Sequence, residues 1–304
     1  MDQSLTRIVP PAASRVVQLE VPTRHEVNLG VFLPGGTGML TATEAEPVRL
    51  WDLVGGACLR EFGEYSNHAW ALKATADRSA LIGCRDGAVR LVDLDSGAVT
   101  KSLLGHRGLV RCLDATANLT IAISGGMQDH ALRVWDIASE RCLAVLEGHR
   151  GGIYCVNVDH DGQRALSGSR DGTMRLWNLE NGHCTRVLDA HAYHVHAVAW
   201  AADGRRALSC SQEIRLWDLE SGACLRTFEG HTETIRSVTW SPDQRLALSA
   251  AHDRTVRVWD VDTGACLHIF AAHSAGAINA VWLSADRIAS CDWSGEVRMW
   301  SMTG

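Results

Sequence analysis

Between residues 231 and 270 the apolar positions fall into four short runs, IRSVTW, LALSA, VRVWD and CLHIF, separated by the polar segments SPDQ, AHDR and DTG. Apolar residues alternating with a period of two, bounded by Pro, Asp and Gly, predict antiparallel strands joined by tight turns. Similar runs recur along the chain. No segment carries a sustained stripe of period 3.6, so the fold is expected to be almost all β.

The recurrence has a fixed phase. RLWD (49–52), RVWD (133–136), RLWN (175–178), RLWD (215–218), RVWD (257–260) and RMWS (298–301) repeat one strand, and RLVD (90–93) fills the gap with Val92 in the Trp place. The slot falls at 51, 92, 135, 177, 217, 259 and 300, a spacing of 40 to 43 residues. A period near forty with Gly-His upstream and Trp-Asp downstream resembles the WD-repeat (WD40) family. The resemblance implies a single seven-bladed β-propeller of four-stranded antiparallel blades.

The last copy stops just after its third strand, while RVVQLEV (15–21) precedes the first full unit. Pairing the two removes two raw sheet edges, so an N-terminal strand is expected to close the last blade. Residues 1–14 are then expected to be a flexible tail and 15–304 the propeller.

In the family the repeated Trp joins a hydrogen-bonded tetrad with the Gly-His histidine, a strand Ser or Thr and a turn Asp. The chemistry is reasonable, because a buried indole N–H needs an acceptor. Three copies carry the full set: His106, Ser124, Asp129 and Trp135; His149, Ser167, Asp171 and Trp177; and His231, Ser249, Asp253 and Trp259. The other copies depart from it. The first has Thr23 and Ala45 in the His and Asp slots. The second has Tyr65 for His and Val92 for Trp but keeps Asp86. The fifth is shortened around SCSQEI and lacks the Asp, and the seventh has Ser294 there. These blades are expected to be less rigid.

Composition narrows the function classes. A net charge of -6 on 304 residues points to neither nucleic acid nor an anionic membrane, and the start of the chain shows no long apolar stretch. Ten cysteines without a C-x-x-C pair argue against a disulfide scaffold or zinc ribbon and fit a reducing, cytoplasmic setting. Cys58, Cys142, Cys184, Cys224 and Cys266 each lie seven residues after their Trp, on different blades, and are expected to be small apolar filler. GGTG (35–38) lacks the Lys-Ser/Thr ending of a phosphate loop, and HEVNL (25–29) lacks the second His of a zincin. No nucleophile elbow occurs, and Asp161-Gly162 and Asp203-Gly204 read as hairpin turns.

The segment AHAYHVHAV (190–198) looks like a metal site until it is phased. His191 falls in the structural Gly-His slot. His194 and His196 fall three and five residues beyond, where the resemblance places the narrow top surface around the central channel. The same offsets, with the residue before the turn Asp, select His68, Trp70 and Arg85 on blade two, and Arg111 and Gln128 on blade three. They select Tyr154 and Arg170 on blade four, Arg236 and His252 on blade six, and Trp293 on blade seven. Two glutamates, Glu26 and Glu44, fall on this face, both on the first blade.

A basic, aromatic rim on an acidic chain suits an acidic or phosphorylated protein segment. The expected function is a non-catalytic scaffold without cofactor or metal. It should be a monomeric propeller within a larger assembly, binding protein or peptide but neither membrane nor nucleic acid. Two alternatives stand beside it: a metal-dependent enzyme or small-ligand binder using His68, His194, His196 and His252 at the channel mouth, and nucleic-acid binding through the rim. Charge exchange at Arg60 and Arg226, on outer strands, is expected to do little.

Overall fold

A computed structural model describes residues 15–19, 26–44, 46–66 and 68–302. The tail assigned to 1–14, the end of the first strand at 20–21, and Thr23 and Ala45 lie outside the described residues. Seven four-stranded antiparallel sheets form the blades, each running from an inner strand outward. Blade four is representative: Ile153–Val158, Arg164–Ser169, Thr173–Asn178 and Cys184–Asp189 pair in sequence order. Inner strands of successive blades touch around the whole circle, including blade seven against blade one, so the ring is closed. Among the described residues only a short 3-10 turn at Glu64–Ser66 interrupts the all-β pattern, and no helix there is long and apolar enough to cross a membrane.

The alternation in sequence becomes a core between blades. Leu40, Leu50 and Phe62 of blade one pack with Ile82 and Val92 of blade two, and Phe228 of blade five meets Trp259 of blade six with ring centroids 6.1 Å apart. Near the axis the blades crowd. A Cβ on Gly168 would lie 2.5 Å from Val195 of the next blade, and one on Gly125 would lie 2.9 Å from Ile153, so glycine there lets neighbouring inner strands converge. On the third strand the register slips by one residue at Trp51, Trp135, Trp177, Trp217 and Trp259, each then facing the first Cys of the outer strand. A bulge repeated at one phase adds twist to each blade.

Ring closure follows the sequence expectation. Arg15–Gln18 pairs antiparallel with Glu296–Ser301, Arg15 opposite Met299 and Gln18 opposite Glu296. The cysteines follow it only in part. Cys58, Cys142 and Cys224 are exposed at the outer edge and are not core filler, whereas Cys184 and Cys266 are half-buried and pack against the hydrophobic clusters between blades. The bulge that faces them onto the Trp backbone leaves the first three at the rim of the sheet.

Outer-strand arginines have partners of their own. Arg60 donates to Ser96 O at 3.0 Å and to Asp95 O in the third-to-outer turn of the next blade. Arg186 does the same to Ser221 O at 3.0 Å, and Arg226 to Thr263 O at 3.0 Å. Lys101 reaches Ala138 O at 3.0 Å from the equivalent place in blade two. The cations two residues after the outer Cys phase are staples between blades, so Arg60 and Arg226 are poor neutral controls. Blade three has Ala144 at this slot and makes no such clasp.

Candidate functional site

The tetrads supply the frame on which the channel face is carried. In blade four, His149 Nε2 lies 2.7 Å from Ser167 Oγ, Trp177 Nε1 donates to the same oxygen at 2.8 Å, and Asp171 lies 3.0 Å from His149 Nδ1. Blades three and six repeat it, with His106–Asp129 at 2.8 Å and His231–Asp253 at 2.7 Å. These imidazole side chains are fully covered. Burial lowers the pKa of His149 and His231, favouring the neutral ring.

Two blades expected to be degenerate are rebuilt by other residues. His191 of blade five meets Glu213 Oε1 at 3.1 Å and Ser209 at 2.8 Å, and Trp217 donates to Ser209 at 2.9 Å. The glutamate, one methylene longer, spans the shortened turn. In blade seven the acid comes from Asp292, 3.3 Å from His273 Nδ1, while Ser294 donates to that carboxylate at 2.7 Å. Blade one keeps a dyad, Trp51 Nε1 to Thr41 at 2.7 Å. Blade two substitutes Arg90, which binds Asp86 at 2.6 Å and stacks 5.7 Å above the Tyr65 ring.

On this frame the channel end carries three open cavities. The first, about 490 Å³, is lined by Glu44, His68, Trp70, Arg85, Leu109 and Gln128 from blades one to three. The second, about 300 Å³, lies in the channel and includes Trp70, Arg111, Tyr154, His196 and Arg236. The third, about 330 Å³, is formed by Met127, His130 and Arg150 with Arg170 and Asp171. Trp70 is shared by the first two, and Gly152, in the third, immediately precedes the strand that carries Tyr154.

Within this surface Arg111 lies between two aromatic rings, 5.0 Å from Trp70 and 5.0 Å from Tyr154, and donates to Trp70 O at 3.4 Å. Cation–π contact and a carbonyl fix an arginine that has no acid nearby. Tyr154 continues the run to His194 at 5.1 Å and His196 at 5.5 Å. On the far side His252 and Trp293 form a separate pair, 4.2 Å apart. The twelve residues selected by phase therefore divide: an aromatic and basic arc over blades two to five, the His252–Trp293 pair across blades six and seven, and Arg236 within the channel.

The four arginines are not equivalent, contrary to a simple rim. Arg85 and Arg170 are exposed, whereas Arg111 and Arg236 are half-buried along the narrow channel. Burial, then the charge of Arg111, lowers Arg236 to about 10, and burial lowers Arg111. The histidines sense the same field. Burial with Arg236 and Arg111 pushes His196 down to about 3, and burial with Arg236 pushes His252 to about 4. At neutral pH the channel's positive charge is therefore guanidinium charge.

That charge opposes the use of these histidines for a metal cation, and among the described residues no group of three or more His, Cys, Asp and Glu side chains is assembled to hold one. Phase alone missed Met127, His130 and Arg150, which wall the third cavity. The residue following each Gly-His histidine is the overlooked signal, since Arg107 and Arg150 both give a backbone N–H to the turn aspartate and turn their side chains outward.

A comparison with protein-family models matches the WD domain, G-beta repeat to residues 97–136, 140–178, 182–218, 222–260 and 264–301, together more than half of the chain. The two units left unmatched end at Trp51 and Val92, where the dyad and the Arg90 substitution replace the tetrad. No curated protein matches the chain.

Proposed function

Since the chain belongs to the WD-repeat family, whose propellers are generally protein-interaction scaffolds, we propose that it is a non-catalytic platform that docks an acidic protein segment on the channel end. The observation that carries this reading is the run of three adjoining cavities lined by Arg85, Arg111, Arg236 and Arg170 together with Trp70 and Tyr154. Arginine and large aromatics dominate interface hot spots, and guanidinium pairs with carboxylate or phosphate through parallel bonds. An extended segment crossing from blade two to blade four passes all three cavities in turn. The exposed arginines steer it, so association weakens with salt, and the recessed ones hold it.

The experiment is selection of peptides from an unbiased pool by the wild-type protein and by an Arg85→Glu/Arg170→Glu variant. The wild type should enrich segments rich in Asp, Glu or phosphorylated residues. The variant should lose them with an unchanged melting curve, because neither arginine belongs to a tetrad or a staple. Enrichment of basic or purely apolar segments would overturn the reading.

A further inference from the structure

We infer that Arg111 and Arg236 form a recessed anion site inside the channel that takes one phosphate monoester group, carried on the docked segment. The inference rests on the docking face proposed above and identifies what enters its deepest cavity.

Both guanidiniums line the same cavity of about 300 Å³, from blades three and six. Neither has a carboxylate partner among the described residues. Among the described residues the Arg111 guanidinium has only the Trp70 carbonyl, at 3.4 Å, and the Arg236 side chain makes no hydrogen bond. By contrast Arg90, Arg164 and Lys73 each face a carboxylate, Asp86, Asp159 and Asp114, the last at 2.7 Å. Asn28 Nδ2, on the wall of the same cavity, is buried and without a partner. Tyr154, between Arg111 and His196, adds a hydroxyl.

Two half-buried guanidiniums that face one cavity without an acid beside them favour entry of a counter-ion. Two guanidiniums, an amide and a phenol belong to residues that line the same cavity, while burial and the arginine charges keep the His196 imidazole beside them neutral at pH 7. A phosphate monoester carries close to two negative charges and three strong acceptor oxygens near neutrality. A carboxylate leaves one guanidinium unmatched. Charge and donor count therefore both select phosphate.

The test uses inorganic phosphate alone, then a phosphoserine peptide beside its unphosphorylated form. Phosphate should raise the melting temperature and bind by calorimetry, beyond equal ionic strength of chloride. Arg111→Met and Arg236→Met should each weaken it about tenfold or more, as loss of one charge-assisted bond implies. Without phosphate Arg236→Met should melt no lower than wild type, because a charge with no acid partner has been removed, whereas Arg111→Met also loses the contacts to Trp70 and Tyr154. Arg236→Lys, which keeps the charge and loses the fork, should fall between.

The phosphoserine peptide should bind more tightly than its unphosphorylated form, and the advantage should vanish in Arg236→Met. Phosphate binding equal in wild type and both Met variants would mean an adventitious ion only and overturns the site, as does no phosphate response at all. Peptide binding without any phosphate advantage sinks the anion site and leaves the docking face standing. Phosphate binding that depends on both arginines while no peptide binds leaves the site and removes the docking face.

Discussion

Glu213 Oε1 stands 3.1 Å from His191 Nδ1 and 3.0 Å from Arg215, so the fifth blade keeps the histidine–acid contact with a glutamate two residues from the Ser211 turn. The contact predicts that Glu213→Ala destabilises the protein by about 1–3 kcal/mol, the cost of leaving a buried hydrogen-bonding group unpaired. Glu213→Asp should cost nearly as much, because the shorter side chain no longer reaches. His149→Ala, which strips a partner from both Ser167 and Asp171, should fall in the same range. Thermal melts of the three variants check this, and a neutral Glu213→Ala would mean that blade five has no working tetrad.

The staples make a separate prediction. Arg60→Ala should speed hydrogen exchange in the 93–97 turn of blade two, and Arg226→Ala in the 260–264 turn of blade six, with global stability changed by less than about 1 kcal/mol for each exposed contact. Faster exchange confined to the mutated blade itself would contradict a clasp between neighbours.

Closure of the ring predicts an asymmetry between truncations. Removal of residues 1–18 strips the strand from Glu296–Ser301 and leaves an open sheet edge. Removal of 1–12 leaves every paired residue in place. The first should lower the melting temperature and promote association, read by light scattering; equal behaviour of the two would show that the pairing does not latch the ring.

Acid stability follows from the histidines. Burial depresses the pKa of His149, His191 and His231 and holds His196 near about 3 and His252 near about 4. A group whose folded pKa lies below its unfolded value contributes stability that is complete above the unfolded value and is lost as pH falls. For these rings the loss begins near pH ~6.5. A second loss comes from Asp171 and Asp292. Burial alone would raise both, but hydrogen bonds, from Thr173 and the Arg150 amide and from His273 and Ser294, hold them at about 2. That contribution fades as pH falls below ~4. Melting temperature should be level above pH ~7, fall between ~6.5 and ~4, and fall faster below. A level profile from pH ~7 to ~4.5 would mean the rings are protonated in the fold.

The seven-fold order was legible because one large side chain, the Trp of the third strand, is buried at the same phase in six of the seven blades, and its burial needs an acceptor Ser or Thr beside it. The acids were less legible. Spacing from the serine identifies Asp171 and Asp253, and Glu213 stands at the same spacing but was passed over because it is a glutamate, while Asp292 reaches its histidine from a shorter offset that turn geometry decides. At the channel, phase selected Arg85, Arg111, Arg170 and Arg236, which line the three cavities. It could not separate exposed from recessed arginines, because that depends on how far each sits along the inner strand as the strands converge. The staples were hidden for a related reason: Arg60 and Arg226 look like solvated charges until the next blade's turn is placed beside them.

Hydrogen exchange of the protein with and without the acidic segment it selects tests the central claim most directly. Docking on the channel end predicts protection at 68–70, 108–111, 127–130, 151–154, 170 and 194–196, where the three cavities and the arc of aromatic residues lie. Protection instead along the outer strands, around the exposed Leu59, Leu143 and Leu225, with the channel end unchanged, would contradict it.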